Sequence, residues 1–172
     1  MSRAFVREDD AEQAGNALPE RPRSPHTNYV TAQGFSQLRE KLLVLMDRKT
    51  ELSERDDMES KQQTQVVERD LRYFHDRLES AIVVNPETQP AHRVHFGATV
   101  QVIDEEDKKL EFQIVGEDEA DVARGKISWV SPLAKALLDA EVGDVVVWQR
   151  PAGNQELEVV SIRKQVAASV NG

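Results

Sequence analysis

Two stretches of the chain repeat apolar residues at alternating steps of three and four residues, and this pattern restricts the fold more than any other feature. The first repeat comprises Phe35, Leu38, Leu42, Leu45, Lys49 and Leu52. The second comprises Ser60, Thr64, Val67, Leu71, Phe74, Leu78 and Ala81. Two heptad helices joined by a short segment predict an antiparallel coiled-coil hairpin. The lysine and hydroxyl residues near the junction indicate that the turn end packs more loosely than the base.

The junction between the two repeats is acidic. Five of the nine residues from Glu51 to Glu59 are acidic, and Arg55 is the only basic residue among them. The rest of the hairpin, residues 34–84 without this run, carries 6 acidic and 8 basic residues. The first helix is expected to run from Phe35 to Asp56, which concentrates the negative charge at the tip. Two interpretations of this acidic cluster remain open: a turn that only contacts solvent, and a surface that binds a cation.

The second half of the chain has a different pattern, with short runs rich in β-branched and aromatic residues. These runs are VHFGATVQVI, LEFQIVG, KISWV, DVVVWQ and LEVVSI. They predict strands, and the turn segments between them predict a small sheet. One helix interrupts the strands: Ser131 is a suitable N-cap, Pro132 suits the first helical position, and the helix is expected to continue towards Gly143. Together the two halves predict an α+β fold.

The pattern also divides the chain into segments. Residues 85–93 hold two prolines without any periodicity, which is typical of a linker. The expected organisation is a mobile N-terminal tail at 1–27, a coiled-coil hairpin at 28–84, the linker, a sheet domain at 94–168 and a short tail at 169–172.

Composition excludes several classes of function. The chain has no cysteine, so a disulfide framework and a thiolate metal site are both excluded. Its net charge of −9 argues against direct binding to a nucleic-acid backbone. The absence of a long apolar run and the acidic start of the chain predict a cytoplasmic protein without a membrane span. His92 and His95 are unfavourable candidates for metal ligands because no cysteine accompanies them.

Residues 28–166 resemble the bacterial Gre transcript cleavage factors, a family of transcription elongation factors. YVTAQGFSQLREKL is similar to the opening of that family. The C-terminal matches follow in the family's order and spacing: FGATVQVID, FQIVGEDEAD, ISWVSPLAKALLDAEVGDVVVW and PAGNQELEVVSI. The resemblance implies that the sheet domain is FKBP-like and that the hairpin is a variant shortened by about one heptad on each arm.

The resemblance also implies a function. Gre factors bind RNA polymerase at the rim of the secondary channel, on the β′ subunit, and insert the hairpin tip towards the catalytic centre. The tip carboxylates there help to hold Mg²⁺, and the polymerase cuts backtracked RNA. The chain is therefore expected to be a monomer without catalytic activity or cofactor of its own, and to meet DNA and RNA only through the polymerase.

The residues expected to carry this function follow from the family's motifs. Asp56 and Glu59 keep the family's D-x-x-E spacing at the tip, and Asp57 is a close substitute; Arg55 and Ser60 stand where the family has Gly and Asn. The family's polymerase contact is an S-P-x-A stretch, which corresponds here to Ser131, Pro132, Leu133 and Ala134. Val130 replaces the polar residue that the family often has before that serine.

Three alternatives to a cleavage factor remain open, and the short hairpin raises the first of them. One heptad shortens the arm by about 10 Å, whereas a carboxylate ligand lies about 2.1 Å from Mg²⁺. The tip would then occupy the channel and inhibit or modulate the polymerase without cleavage. A coiled-coil adaptor with another partner is the second alternative. A prolyl isomerase, suggested only by the FKBP-like domain, is the third, and fold alone is poor support for an activity.

Overall fold

The computed structural model describes residues 18–166, which form a helical hairpin followed by a five-stranded sheet with one short helix. The helices are α1 (Ala32–Ser53), α2 (Met58–Ser80) and α3 (Pro132–Leu137). The strands are β1 (Tyr29–Val30), β2 (Ile82–Val83), β3 (Thr99–Ile103), β4 (Lys109–Val115), β5 (Lys126–Ser128), β6 (Val145–Trp148) and β7 (Gln155–Arg163). The predicted α+β class is confirmed. None of the helices within residues 18–166 is long and apolar enough to cross a bilayer.

The first helix of the hairpin begins earlier and ends earlier than the heptad pattern predicts. Thr31 precedes it, and its side-chain oxygen accepts a hydrogen bond from the Gly34 N–H at 2.9 Å. This cap starts α1 at Ala32. At the other end, α1 stops at Ser53, and the Glu54 N–H donates to the carbonyls of Glu51 and Leu52. The predicted end at Asp56 was therefore wrong by about one turn.

The seam between α1 and α2 is fully buried at three of its apolar residues and partly exposed at others, such as Leu42 and Leu71. Leu38, Leu52 and Val67 are 2%, 1% and 8% exposed. Lys49 leaves the seam, and its ammonium lies 3.4 Å from the carboxylate of Glu68. Because Leu52 is in the last turn of α1 and is almost completely buried, the prediction of a loose turn end was wrong.

A two-stranded parallel sheet closes the base of the hairpin. β1 precedes α1 and β2 follows α2, with Tyr29 opposite Ile82 and Val30 opposite Val83. The Ile82 N–H donates to the Asn28 carbonyl at 2.8 Å. The sequence predicts an extended piece near Asn28 but not its partner strand.

The C-terminal sheet has the strand order β5-β4-β3-β7-β6. Only the β4–β5 pair is parallel within this sheet. α3 covers one face, and its Leu133, Ala134 and Leu137 join the core with strand residues such as Val100 and Leu157. All five predicted strand runs contain a strand, so the sheet could be predicted from alternation and β-branched residues.

The helix of this domain is shorter than expected. α3 ends at Leu137 rather than continuing towards Gly143. Asp139 has a positive φ of 68°, which turns the chain out of the helical path. Its N–H donates to the Val94 carbonyl at 2.9 Å, and the chain is thereby tied to the start of the domain.

Residues 18–27 differ from the predicted mobile tail at 1–27, because they lie along α2. We call this segment the N-terminal strap. The Arg72 guanidinium donates to Glu20 at 2.6 Å, and the Arg21 guanidinium lies 3.9 Å from the centre of the Tyr73 ring. Residues 1–17 and the predicted tail at 169–172 lie outside the described residues.

Candidate functional site at the hairpin tip

The tip of the hairpin is a four-residue turn whose last residue caps the second helix. Asp57 is the N-cap of α2. One of its carboxylate oxygens accepts from the Ser60 N–H at 2.8 Å, and the other accepts from the Ser60 hydroxyl at 2.8 Å. These two hydrogen bonds, the backbone one first, hold the pKa of Asp57 below its ordinary value. The structure thus gives Asp57 a capping role, and the polar residue at 60 is its partner.

Asp56 and Glu59 lie on either side of this cap and are exposed. The Asp56 side chain is 95% exposed, and one of its oxygens lies 3.2 Å from the Lys61 ammonium. Glu59 is in the first turn of α2 and accepts a 3.3 Å hydrogen bond from the Gln63 amide. The two predicted metal ligands are therefore at the surface of the apex, separated in the chain by the capping residue Asp57 and by Met58.

Groups of the hairpin itself stabilise part of the acidic cluster, so these carboxylates do not need a partner protein or a cation. The N-terminus of a helix carries a partial positive charge, which favours the carboxylates of Asp57 and Glu59. Glu51 lies at the other side of the turn, 3.2 Å from the Arg48 guanidinium. Glu54 and Asp56 remain as exposed carboxylates that neither helix end accounts for.

The predicted polymerase-binding stretch divides into exposed and buried residues. Ser131 caps α3 by accepting from the Ala134 N–H at 3.2 Å, and Pro132 is exposed at the first helical position. Leu133 and Ala134 are 4% and 0% exposed. A partner can touch Ser131 and Pro132 directly, whereas Leu133 and Ala134 support the helix from the core.

A polar joint, which sequence reasoning missed, fixes the hairpin to the sheet domain. The Arg77 guanidinium, in the last turn of α2, donates to Asp118 at 2.6 Å and to Asn28 at 2.7 Å. The Tyr73 hydroxyl donates to the other oxygen of Asp118 at 2.6 Å. Burial raises the pKa of Tyr73 to about 12, and the hydrogen bond to Asp118 acts in the same direction. Arg77 is only 5% exposed, so this is an interior ion pair.

A second contact of the joint lies at the start of α1. The Thr31 hydroxyl donates to Glu119 at 2.5 Å, and both residues are buried. A Cβ at Gly34 would lie 2.6 Å from the same carboxylate oxygen, so only glycine lets Glu119 approach the first turn of the helix. The sequence signal was present in the acidic run of residues 116–121, but the sequence does not indicate which helix that run contacts.

A cluster that sequence reasoning did not select lies on the side of α2. His75, Asp76 and Glu79 have potential ligand atoms within 4.8 Å of one another. All three are at least partly exposed, and Asp76 pairs with Arg23 of the strap. Exposed pairing of this kind favours a solvated helix face over a metal site.

Comparison with known proteins places the chain in a family. Residues 89–164 match the sequence model for the C-terminal part of the transcription elongation factors GreA and GreB. Over 151 residues the chain is 36% identical to transcription elongation factor GreB of Neisseria meningitidis serogroup B, with 78% of this chain and 93% of that protein covered. This chain belongs to the GreA/GreB family. The resemblance predicted from the opening and from the motifs of the sheet domain is thus confirmed.

Other members and solved structures of the GreA/GreB type are similar to the chain. Transcription elongation factor GreA of Alkalilimnicola ehrlichii is 37% identical over 151 residues, which cover 78% of this chain and 96% of that protein. The Gfh1 protein of Thermus thermophilus, a GreA factor homolog, is 27% identical, with 80% of this chain and 99% of that chain covered. Its TM-score is 0.37, which is too low to support an inference.

Proposed function

We propose that this GreA/GreB-family protein binds RNA polymerase through its C-terminal domain and inserts the acidic tip of its hairpin into the secondary channel. Family membership supports an elongation factor, and the observation that carries the proposal is the exposure of Asp56 and Glu59 at the apex. The chain acts on the polymerase and has no catalytic role alone. Nucleic acid is reached through the polymerase, since a net charge of −9 opposes direct binding.

The docking surface in this proposal is the start of α3 on the rim of the channel, at the β′ subunit. Ser131 and Pro132 supply its accessible part, while Leu133 and Ala134 keep α3 seated on the sheet. A Pro132→Glu substitution keeps a residue suited to the first turn of a helix and changes only this exposed face. It should reduce the amount of polymerase that the protein retains in a pull-down.

The carboxylates of the tip could supply some of the ligands of a Mg²⁺ ion that the polymerase also holds. Mg²⁺ takes hard oxygen ligands and is usually held by one or two carboxylates, with waters and phosphates completing its shell. Asp56 and Glu59 are two such donors, and the remaining ligands would belong to the polymerase. When bound, the ion would activate water and stabilise charge at the phosphate that is cut. Lys61 would have to leave Asp56 to free its oxygen, and Asp57 would stay with Ser60.

A second mode, in which the tip occupies the channel without promoting cleavage, is favoured by these same contacts. Asp57 is engaged as a cap and Asp56 is paired, so Glu59 is the carboxylate of the motif with the weakest contacts. The length of the arm points the same way: α1 has 22 residues and is about 33 Å long, and the family resemblance predicts a hairpin shortened by about one heptad on each arm. We therefore favour a modulator of elongation over an efficient cleavage factor.

The decisive experiment adds the protein to a stalled, backtracked elongation complex and measures both RNA shortening and the rate of elongation. A cleavage factor shortens the RNA, and the Asp56→Asn, Glu59→Gln variant loses that activity. A modulator changes the elongation rate without shortening the RNA. The matched control is Glu51→Gln with Glu54→Gln, which removes the same charge from the α1 side of the turn. If the protein neither binds polymerase nor changes transcription, the proposal fails and the adaptor alternative takes its place.

A further inference from the structure

The N-terminal strap contacts α2 through a row of ion pairs. Glu20 accepts from the Arg72 guanidinium through both of its oxygens, at 2.6 to 3.1 Å. Arg23 pairs with Asp76. Arg21 is 3.5 Å from Asp70 and also stacks on Tyr73. Each of these three strap charges therefore lies beside an opposite charge on α2.

The same strap contacts the sheet domain. The Ser24 hydroxyl donates to Glu117 at 2.9 Å. The His26 ring meets the Trp129 ring edge-on, with 6.0 Å between their centres. The strap therefore links the side of α2 to the C-terminal domain and borders the buried joint, since Glu117 also lies 3.8 Å from the Arg77 guanidinium.

Because of the position of these contacts, the strap can limit how far the tip moves when the hairpin rotates relative to the sheet domain. Glu59 is 18 residues from Arg77 in the numbering of α2, or about 27 Å along the helix. A rotation of about 10° at the joint would move the tip by about 5 Å over that length. Asp70, which contacts the strap, is 7 residues from Arg77, so the strap holds the arm about 10 Å beyond the joint.

We propose that Glu20, Arg21 and Arg23 are positioning residues, which brace the hairpin against the sheet domain and narrow the range of positions that the tip can occupy. This inference rests on the proposed function, because a defined tip position matters when the tip must meet a target inside a channel. A carboxylate that is several ångströms out of place cannot ligate an ion. Strap residues are far from the apex and act only through the orientation of the arm.

The ion pairs of the strap are half-exposed. Their effect on the position of the tip can therefore be distinguished from an effect on folding stability. The side chains of Glu20 and Arg72 are each 53% exposed, and those of Arg23 and Asp76 are each 42% exposed. Ion pairs of this exposure add little to folding stability and are screened by salt. Loss of the strap should therefore leave the melting temperature almost unchanged while the tip becomes less well positioned.

The experiment measures a distance within the isolated protein, without polymerase. The chain has no cysteine, so Met58→Cys at the exposed apex and Glu158→Cys on β7 give two unique spin-label sites. The Glu20→Arg, Arg23→Glu variant reverses two strap contacts at constant net charge. The expected result is a tip distance distribution broadened by on the order of 5 Å. High salt should broaden the distribution of the unaltered strap in the same way.

Rescue and control variants decide the outcome. Adding Arg72→Glu and Asp76→Arg restores both pairs with swapped charges and should restore the narrow distribution. Arg39→Glu with Glu40→Arg exchanges two exposed charges on α1 and should leave the distribution unchanged. An equal width with and without the strap contacts overturns the inference, as does a broadening that the swapped charges do not reverse. If the strap result holds but polymerase is not bound, only the proposed function fails.

Discussion

At the scale of single residues, neighbouring acids of the tip have different roles because their hydrogen bonds differ. Asp57 accepts two hydrogen bonds from Ser60, whereas Asp56 is almost fully exposed beside Lys61. An acidic run in a sequence therefore combines residues that start a helix with residues that face solvent. Only the second kind is available to a cation without unfolding the turn.

We predict that Asp57→Ala lowers the melting temperature at neutral pH, because the first turn of α2 loses its cap. Asp57→Asn should melt close to the unaltered protein, since asparagine is an equally good cap. Thermal unfolding followed by circular dichroism tests both. If the alanine variant is as stable as the asparagine variant, the cap does not contribute to stability.

The same residue predicts a dependence on acid. The folded-state pKa of Asp57 is lowered from 3.8, so its contribution is fully present above pH 3.8. It is lost as the pH falls below 3.8 through the lowered folded-state value. Asp57→Asn should remove this part of the acid dependence, which a series of melts between pH 5 and pH 2 would reveal, and an identical series for both proteins would contradict the assignment.

At the scale of the elements, the hairpin depends on buried residues at both of its ends. Leu38 is buried near the base and Leu52 near the turn, while the exposed Leu43 lies between them in the sequence. Deep burial at the turn end keeps the two helices in register where the acidic residues begin. The apex is therefore presented by a packed end of the coil.

We predict that Leu52→Ala destabilises the protein by about 2–5 kcal/mol, because a fully buried leucine leaves a cavity when truncated. Leu43, which is 58% exposed, supplies the matched control. Leu43→Ala should change the free energy of unfolding by less than about 0.5 kcal/mol. Urea denaturation measures both values, and equal effects would show that the seam does not lie where we place it.

Most elements could be predicted from sequence, and the exceptions have physical causes. Heptad spacing and alternation identified the hairpin and the five-stranded sheet. β1 and β2 have two residues each, which is too short for any periodicity to show. The start of α1 was missed because a hydrogen bond that Thr31 accepts from the Gly34 N–H sets it, and an apolar pattern does not record such a bond.

At the scale of the whole molecule, a small number of long-range polar contacts fix the hairpin to the sheet domain. Arg77 and Asp118 are 41 residues apart in sequence, and Thr31 and Glu119 are 88 apart. Sequence patterns report neighbours along one element and give no sign of such pairs. The joint could not be predicted for that reason, although the acidic run that forms half of it was visible.

We predict that Arg77→Ala destabilises the protein by about 3–5 kcal/mol, because it leaves Asp118, whose side chain is only 11% exposed, without its cation. The matched control is Arg163→Ala, which breaks an exposed pair with Glu111 at 2.9 Å. Its cost should be about 1 kcal/mol or less. Denaturant titration distinguishes the two, and a small effect of Arg77→Ala would mean that the joint is not held by this pair.

The parallel pairing of β1 with β2 has a consequence for how such molecules can diversify. The chain enters and leaves the hairpin side by side, at Val30 and Ile82. Whole heptads can therefore be gained or lost in matching numbers on both helices while the remaining body keeps its shape. The length of the hairpin can therefore change independently of the sheet domain, and the same sheet domain can carry hairpins of different lengths.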